Sequence, residues 1–280
     1  MTNSMILSYI TFVYFFSFFF YLLMMVMHRE IFGRLATYIT LAGFAGHTFA
    51  IILRWIESYQ LGIGRAPLSN LYESLIFFGW TIILLYLIVE WRTKNRSVGA
   101  FIAPVVFLAM AYASYSPNIS SRIQPLVPAL KSNWLIAHVV TCFFGYAAFA
   151  LAFVLSVMFL LKKLDRPEKK KPFLKIIPNS WILDDLSYQM VVIGFLFLTL
   201  GILTGSVWAH SAWGAYWQWD PKESWSLITW LVYAAFLHSR LVRGWKGNKL
   251  AALSIIGFFC VLFTYLGVNY LPGLHSYAQS

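Results

Sequence analysis

The chain has 280 residues, 60% of them hydrophobic and only 11% charged, where a soluble domain carries about 25% charged residues. So little polar surface cannot cover a water-soluble fold, and lipid is the expected solvent. A net charge of +11 does not point to nucleic acid here, because the basic residues sit in short connections between apolar stretches, as membrane orientation requires.

A spanning helix needs about 20 mostly apolar residues. In chain order the candidates are 4–27, 35–56, 72–90, 98–114, 133–161, 188–209, 223–239 and 249–269. The first has no basic residue before it and no small-residue cleavage signature after it, so it reads as a retained span rather than a signal peptide. The fourth is short and carries Pro104. One long, highly charged connection, 162–187, holds Lys162, Lys163, Arg166, Lys169, Lys170, Lys171 and Lys175. No internal repeat or soluble domain is visible. The expected fold is therefore all-α, a polytopic membrane helical bundle of about eight transmembrane helices in a single domain over 1–280. Of the 21 Lys and Arg, sixteen fall in the first, third, fifth and seventh connections, counting Lys249 at the edge of the last span. That bias places those connections in the cytoplasm and leaves both termini and the stretch 210–222 extracytoplasmic. Cys142 and Cys260 lie in apolar runs without a C-x-x-C spacing, and read as small apolar side chains rather than a disulfide, zinc or dithiol site.

The segment 208–225 is rich in tryptophan: six of the chain's twelve fall between Trp208 and Trp230. An aromatic belt at the membrane surface explains one or two tryptophans per helix end. It explains less well Trp213, Gly214, Tyr216, Trp217 and Trp219 packed so closely, which favours a platform for a planar apolar guest with polar edges, such as a porphyrin or a quinone. Trp213, Tyr216, Trp217 and Asp220 follow i, i+3, i+4, i+7 spacing and share a face if the loop coils as a short helix. Asp220 has a plainer reading as well. Asp-Pro-Lys-Glu matches a cap, a proline at the first helical position and a glutamate closing a capping box on Glu223. A similar box is expected at Asn70-Leu-Tyr-Glu73.

Orientation sorts the six histidines. His138 lies five residues after Asn133, roughly 8 Å inside the outer end of its helix at 1.5 Å per residue. His275 follows the last span, also outside. Neutral imidazole is a ligand for iron, and two such rings would fill both axial positions of a porphyrin. His238 lies near the inner end of the seventh span, either as a functional intramembrane group or as a residue meeting headgroups beside Arg240. His47 suits a hydrogen bond between helices, His28 an interfacial position, and His210 a supporting place beside the tryptophans.

The run Trp213-Gly-x-Tyr-Trp-x-Trp-Asp-Pro-Lys-Glu223 is similar to the tryptophan-rich (WWD) signature of the heme-handling proteins of cytochrome c biogenesis. Its Asp-Pro-Lys-Glu ending, Leu237-His238, Gly273-Leu274-His275-Ser276-Tyr277 and Pro67-Leu-Ser-Asn-Leu-Tyr-Glu73 resemble the system II CcsA/ResC branch, as does the eight-span layout. The resemblance covers essentially the whole chain. It implies that heme b, as substrate and bound ligand, passes through a transmembrane site to an outer site. There Trp213, Gly214, Tyr216, Trp217, Trp219 and Asp220 form the platform, with His138 and His275 as axial ligands. His238 corresponds to the family's transmembrane heme histidine, whose partner ligand belongs to a separate ResB/Ccs1-type membrane subunit. The implied activity is that of a subunit of a holocytochrome c synthetase, joining heme to the Cys-x-x-Cys-His segment of an apocytochrome c. Thioredoxin-like thiol-reducing proteins are further implied partners, in a bacterial plasma membrane or a thylakoid membrane. No residue looks like a separate acid–base catalyst, because the reacting thiols come from the substrate. Among the outer basic residues Arg54, Arg65, Arg122, Lys131 and Lys222, Arg65 and Arg122 are the first candidates for the heme propionates. Two other readings remain at this stage: a heme exporter or chaperone without attachment activity, and a b-heme membrane electron carrier.

Overall fold

The computed structural model describes residues 3–126, 131–165 and 172–272. Among them are eight α-helices and no strand: α1 (Asn3–Met27), α2 (Glu30–Gln60), α3 (Leu71–Thr93), α4 (Gly99–Tyr115), α5 (Asn133–Lys163), α6 (Ser180–Trp213), α7 (Pro221–Leu241) and α8 (Asn248–Tyr265). Short 3-10 turns follow at Pro172–Lys175 and Gly267–Tyr270. Every expected span has its helix. Six of them (α1, α2, α3, α5, α6 and α8) are long and apolar enough to cross a membrane, and α4 is a shorter apolar helix. The fold is a polytopic membrane helical fold.

The boundary that differs most from expectation is the start of α6. α6 begins at Ser180, inside the connection expected to run to 187. The acidic residues that interrupt the apolar pattern there are used by the fold. Asp184 pairs with Arg240 and accepts from the Gly247 N–H at 2.8 Å. With its charge held in this way, the helix continues past the end of the apolar run.

The helices group into two compact units, α1–α4 with the turn 172–175, and α5–α8. In the first unit α1 packs on α2 and α4 and buries a series of polar groups. The Tyr14 hydroxyl meets His47 Nδ1 at 3.1 Å, the interhelical bond expected of that histidine. Glu90 accepts from the hydroxyls of Tyr86 at 2.6 Å and Tyr21 at 3.1 Å. Glu73 receives two buried guanidinium groups, Arg54 at 2.8 Å and Arg65 at 2.6 Å.

In the second unit α5 and α6 are the most closely packed pair. Glycines make this possible. A Cβ on Gly145 would stand 3.1 Å from the Gly194 carbonyl, and one on Gly201 would stand 2.6 Å from Cys142 Sγ. Helices in lipid associate through such small-residue contacts, because the apolar solvent supplies no hydrophobic drive between them. α7 joins the pair through Tyr233, which stacks on Phe149 with centroids 3.6 Å apart. The Tyr233 ring also lies against Gly257 of α8.

Candidate functional site

Between α6 and α7 the tryptophan-rich segment leaves the helix over 214–220. α6 ends at Trp213 because Gly214 takes the left-handed conformation (φ +81°) and its N–H closes on the His210 carbonyl at 2.9 Å. That is a conformation glycine adopts without a Cβ penalty. From 215 to 220 the backbone has no helical hydrogen bonding. The single helical face expected for Trp213, Tyr216, Trp217 and Asp220 is therefore replaced by separate aromatic pairings. Trp213 meets Trp208 edge-on at 4.8 Å, Tyr216 stacks on His210 at 4.3 Å, and Trp217 meets Trp219 edge-on at 5.7 Å. Tyr216 and Trp219 are exposed, Trp219 by 70%. The buried indole N–H of Trp217 finds no hydrogen-bond partner among the described residues.

The loop is closed at its far end by α7. Asp220 caps it, accepting from the Lys222 N–H at 3.0 Å, and Pro221 occupies the first helical position. Glu223 completes the expected capping box by accepting from the Asp220 N–H, and also takes the Gln218 N–H at 2.8 Å. Between these two anchored amides Trp219 sits at φ +57°, a left-handed conformation that a bulky residue adopts only when its surroundings impose it. Asp220 thus acts through the shape of the loop.

His138 stands on α5 beneath this segment. Its ring lies parallel to the Trp208 indole, 5.9 Å between centroids, and its Nδ1 lies 2.7 Å from the Gly201 carbonyl oxygen of α6. A carbonyl only accepts, so Nδ1 carries the proton. In the neutral ring Nε2 then holds the lone pair. A backbone carbonyl bonded to the distal nitrogen is the arrangement that orients metal-bound imidazoles and makes them more basic. Two glycines give the ring its place. A Cβ on Gly205 would fall 2.5 Å from Nδ1, and Gly201 supplies the carbonyl one turn earlier. The Gly-x-x-x-Gly spacing at 201–205 was the available signal for this seat, and the histidine pattern alone did not reveal it. These residues fit a porphyrin: an imidazole with its lone pair on Nε2 beside the linked indoles of Trp208 and Trp213, and a following loop that carries a buried indole N–H and exposed rings.

The other expected residues fall elsewhere. His238 is an exposed residue on α7. Arg65 is buried and occupied, giving one nitrogen to Glu73 and another to the Gln124 carbonyl at 2.9 Å. Arg122 is exposed. His275 lies outside the described residues.

A family model described as cytochrome C assembly protein matches residues 68–275. The cytochrome c biogenesis protein CcsA of Chlamydomonas reinhardtii is 45% identical over 81% of this chain and 64% of its own length, so the match spans less than two thirds of that relative. CcsA of Trieres chinensis is 42% identical over 82% of this chain and 81% of its own. CcsA of Prochlorococcus marinus is 41% identical over 81% and 78%. Among solved structures, the cytochrome c heme lyase CcmF superposes with a TM-score of 0.70 at 18% identity, covering 95% of this chain and 47% of CcmF. That likeness shows the fold.

Proposed function

The chain belongs to the cytochrome C assembly protein family, and from that premise we propose that it holds heme against His138 and presents it to an apocytochrome c. The observation that carries this reading is the Nδ1–H bond from His138 to the Gly201 carbonyl, which fixes the tautomer an iron ligand needs. In this role the tryptophan segment 208–225 faces outward, in line with the bias of Lys and Arg to the opposite connections. In the same reading His275 supplies the second axial ligand.

Thioether formation adds each S–H of a Cys-x-x-Cys-His segment across a heme vinyl group. Sulfur bonds one vinyl carbon, hydrogen goes to the other, and nothing is oxidised or reduced overall. Such an addition needs no dedicated acid or base from the chain, whose contribution is to position the reactants. His238, exposed on α7, suits a second heme site completed by a ResB/Ccs1-type subunit. The membrane is bacterial plasma or thylakoid.

Absorbance spectra and cytochrome c yield test this directly. His138→Ala is expected to insert normally, lose most bound heme and abolish maturation, with added imidazole restoring part of the heme signal. If the variant keeps wild-type heme content and spectrum, His138 is not a ligand. Heme retained with normal redox turnover and no effect on cytochrome yield would identify an electron carrier instead.

A further inference from the structure

We propose that Lys222 is the cationic seat for a heme carboxylate in the His138 site; this rests on the heme reading above. The candidates marked by sequence divide once their surroundings are known. Arg54 and Arg65 each give nitrogens to Glu73 and to backbone carbonyls, so neither has its charge to spare. Lys222 belongs to the same unit as His138 and is used differently.

Its backbone N–H serves the Asp220 cap, while its side chain turns back under the loop instead of into solvent. There the ammonium donates to Asn269 Oδ1 at a long 3.5 Å. Asn269 lies in the 3-10 turn after α8, and its amide is oriented by donating from Nδ2 to the Tyr265 carbonyl at 3.1 Å. Tyr265 in turn meets the ring of Phe143 of α5 edge-on, 5.3 Å between centroids, and Phe143 follows Cys142 in the chain. Cys142 Sγ is itself 3.6 Å from His138 Nδ1. A chain of contacts thus runs from the ammonium through the end of α8 to the turn of α5 that follows His138.

Asp220 is the other charge near it, and its carboxylate takes the Lys222 backbone N–H, while the hydrogen bond of the ammonium goes to Asn269. An ammonium turned inward with one long bond to a neutral amide has donors to spare, since lysine carries three. A guest that places iron at His138 and ends in carboxylates supplies the acceptor that is missing. A charge-assisted bond of this kind is worth more than a neutral one, enough for roughly a tenfold preference. The second capped helix start adds a contrast. α3 opens on Asn-Leu-Tyr-Glu and has no lysine at the corresponding place, so its cap shapes a helix and presents no cation.

The test compares protoheme with its dimethyl ester, which keeps ring, iron and vinyl groups but removes both negative charges. The full chain, purified from membranes, is titrated with each. The wild type is expected to bind protoheme about tenfold more tightly than the ester. Lys222→Gln is expected to bind the two alike, by losing affinity for protoheme alone. Lys222→Arg keeps the cation and is expected to keep the preference, which covers the case of a Gln variant that fails to insert. A wild type that binds both porphyrins equally, or a Gln variant that discriminates as the wild type does, overturns the role of Lys222 and leaves heme binding at His138 standing. Loss of the preference in the Arg variant also overturns it. A wild type that binds neither porphyrin overturns both readings.

Discussion

Two helices in this chain begin with the same chemical pattern, and they use it for different ends. α3 starts Asn-Leu-Tyr-Glu and α7 starts Asp-Pro-Lys-Glu. In both, the first side chain caps the helix. At α7 the glutamate turns back on its own loop, binding the N–H groups of Gln218 and Asp220. At α3 the glutamate passes its own cap by and takes the Ser69 N–H, one residue further out, together with Arg54 and Arg65. The difference lies in what is buried nearby. Two guanidinium groups, each all but inaccessible, cannot be left without a counter-charge in a low-dielectric interior. They draw the carboxylate away from the Asn70 N–H that would close the box. One glutamate consequently holds a unit together and the other shapes a surface loop.

The largest effect is expected where that contrast is sharpest. Glu73→Gln leaves two buried cations without their anion and is expected to cost about 3–5 kcal/mol, seen as little folded protein in membranes. If it accumulates at wild-type levels and melts at the wild-type temperature, the network is not structural. Gly205→Ala acts in the other unit, where the new methyl meets His138 Nδ1. A shift of the ring by on the order of 1 Å is expected to lower cytochrome c maturation by up to about a hundredfold while folded yield stays near normal. Unchanged maturation with an unchanged heme spectrum would show that the ring does not depend on this glycine. Glu223→Ala removes the loop's anchor. It is expected to cost only about 1 kcal/mol of stability but to lower heme retention, and the two readouts moving in proportion would erase the distinction from Glu73. The smallest change is Asn70→Ala, a lost cap of about 1 kcal/mol with heme content untouched, checked by thermal melting beside the heme spectrum.

The helices were legible because lipid imposes a length on apolar stretches that no soluble fold requires, and the boundary at α7 because its cap is written in four consecutive residues. The start of α6 was not legible, since Asp184 looks like loop composition until Arg240 and Gly247 are seen to hold it. The aromatic face failed for a local reason. A spacing of three and four residues presumes a helix, and one glycine at φ +81° cancels the presumption. The site divided in the same way. His138 could be named from depth and type, whereas its tautomer, its glycine seat and the inward turn of Lys222 depend on neighbours from α6 and the turn after α8, far away in sequence. The capping reading of Asp220 came from residues adjacent in the chain, and it is present in the structure.

The fit of the His138 ring over the backbone of α6 has a kinetic corollary. A side chain wedged between a carbonyl, an indole and a glycine gives up little rotational freedom on gaining a ligand, so the proposed heme binding there is expected to be preorganised and slow to reverse. A carrier built to let go quickly would hang its ligand on a looser mount. Here, in the proposed role, release cannot begin with the imidazole swinging aside. It must begin at the other side of the porphyrin or in the loop above, and the step that frees the finished cytochrome then belongs to whichever of those yields first.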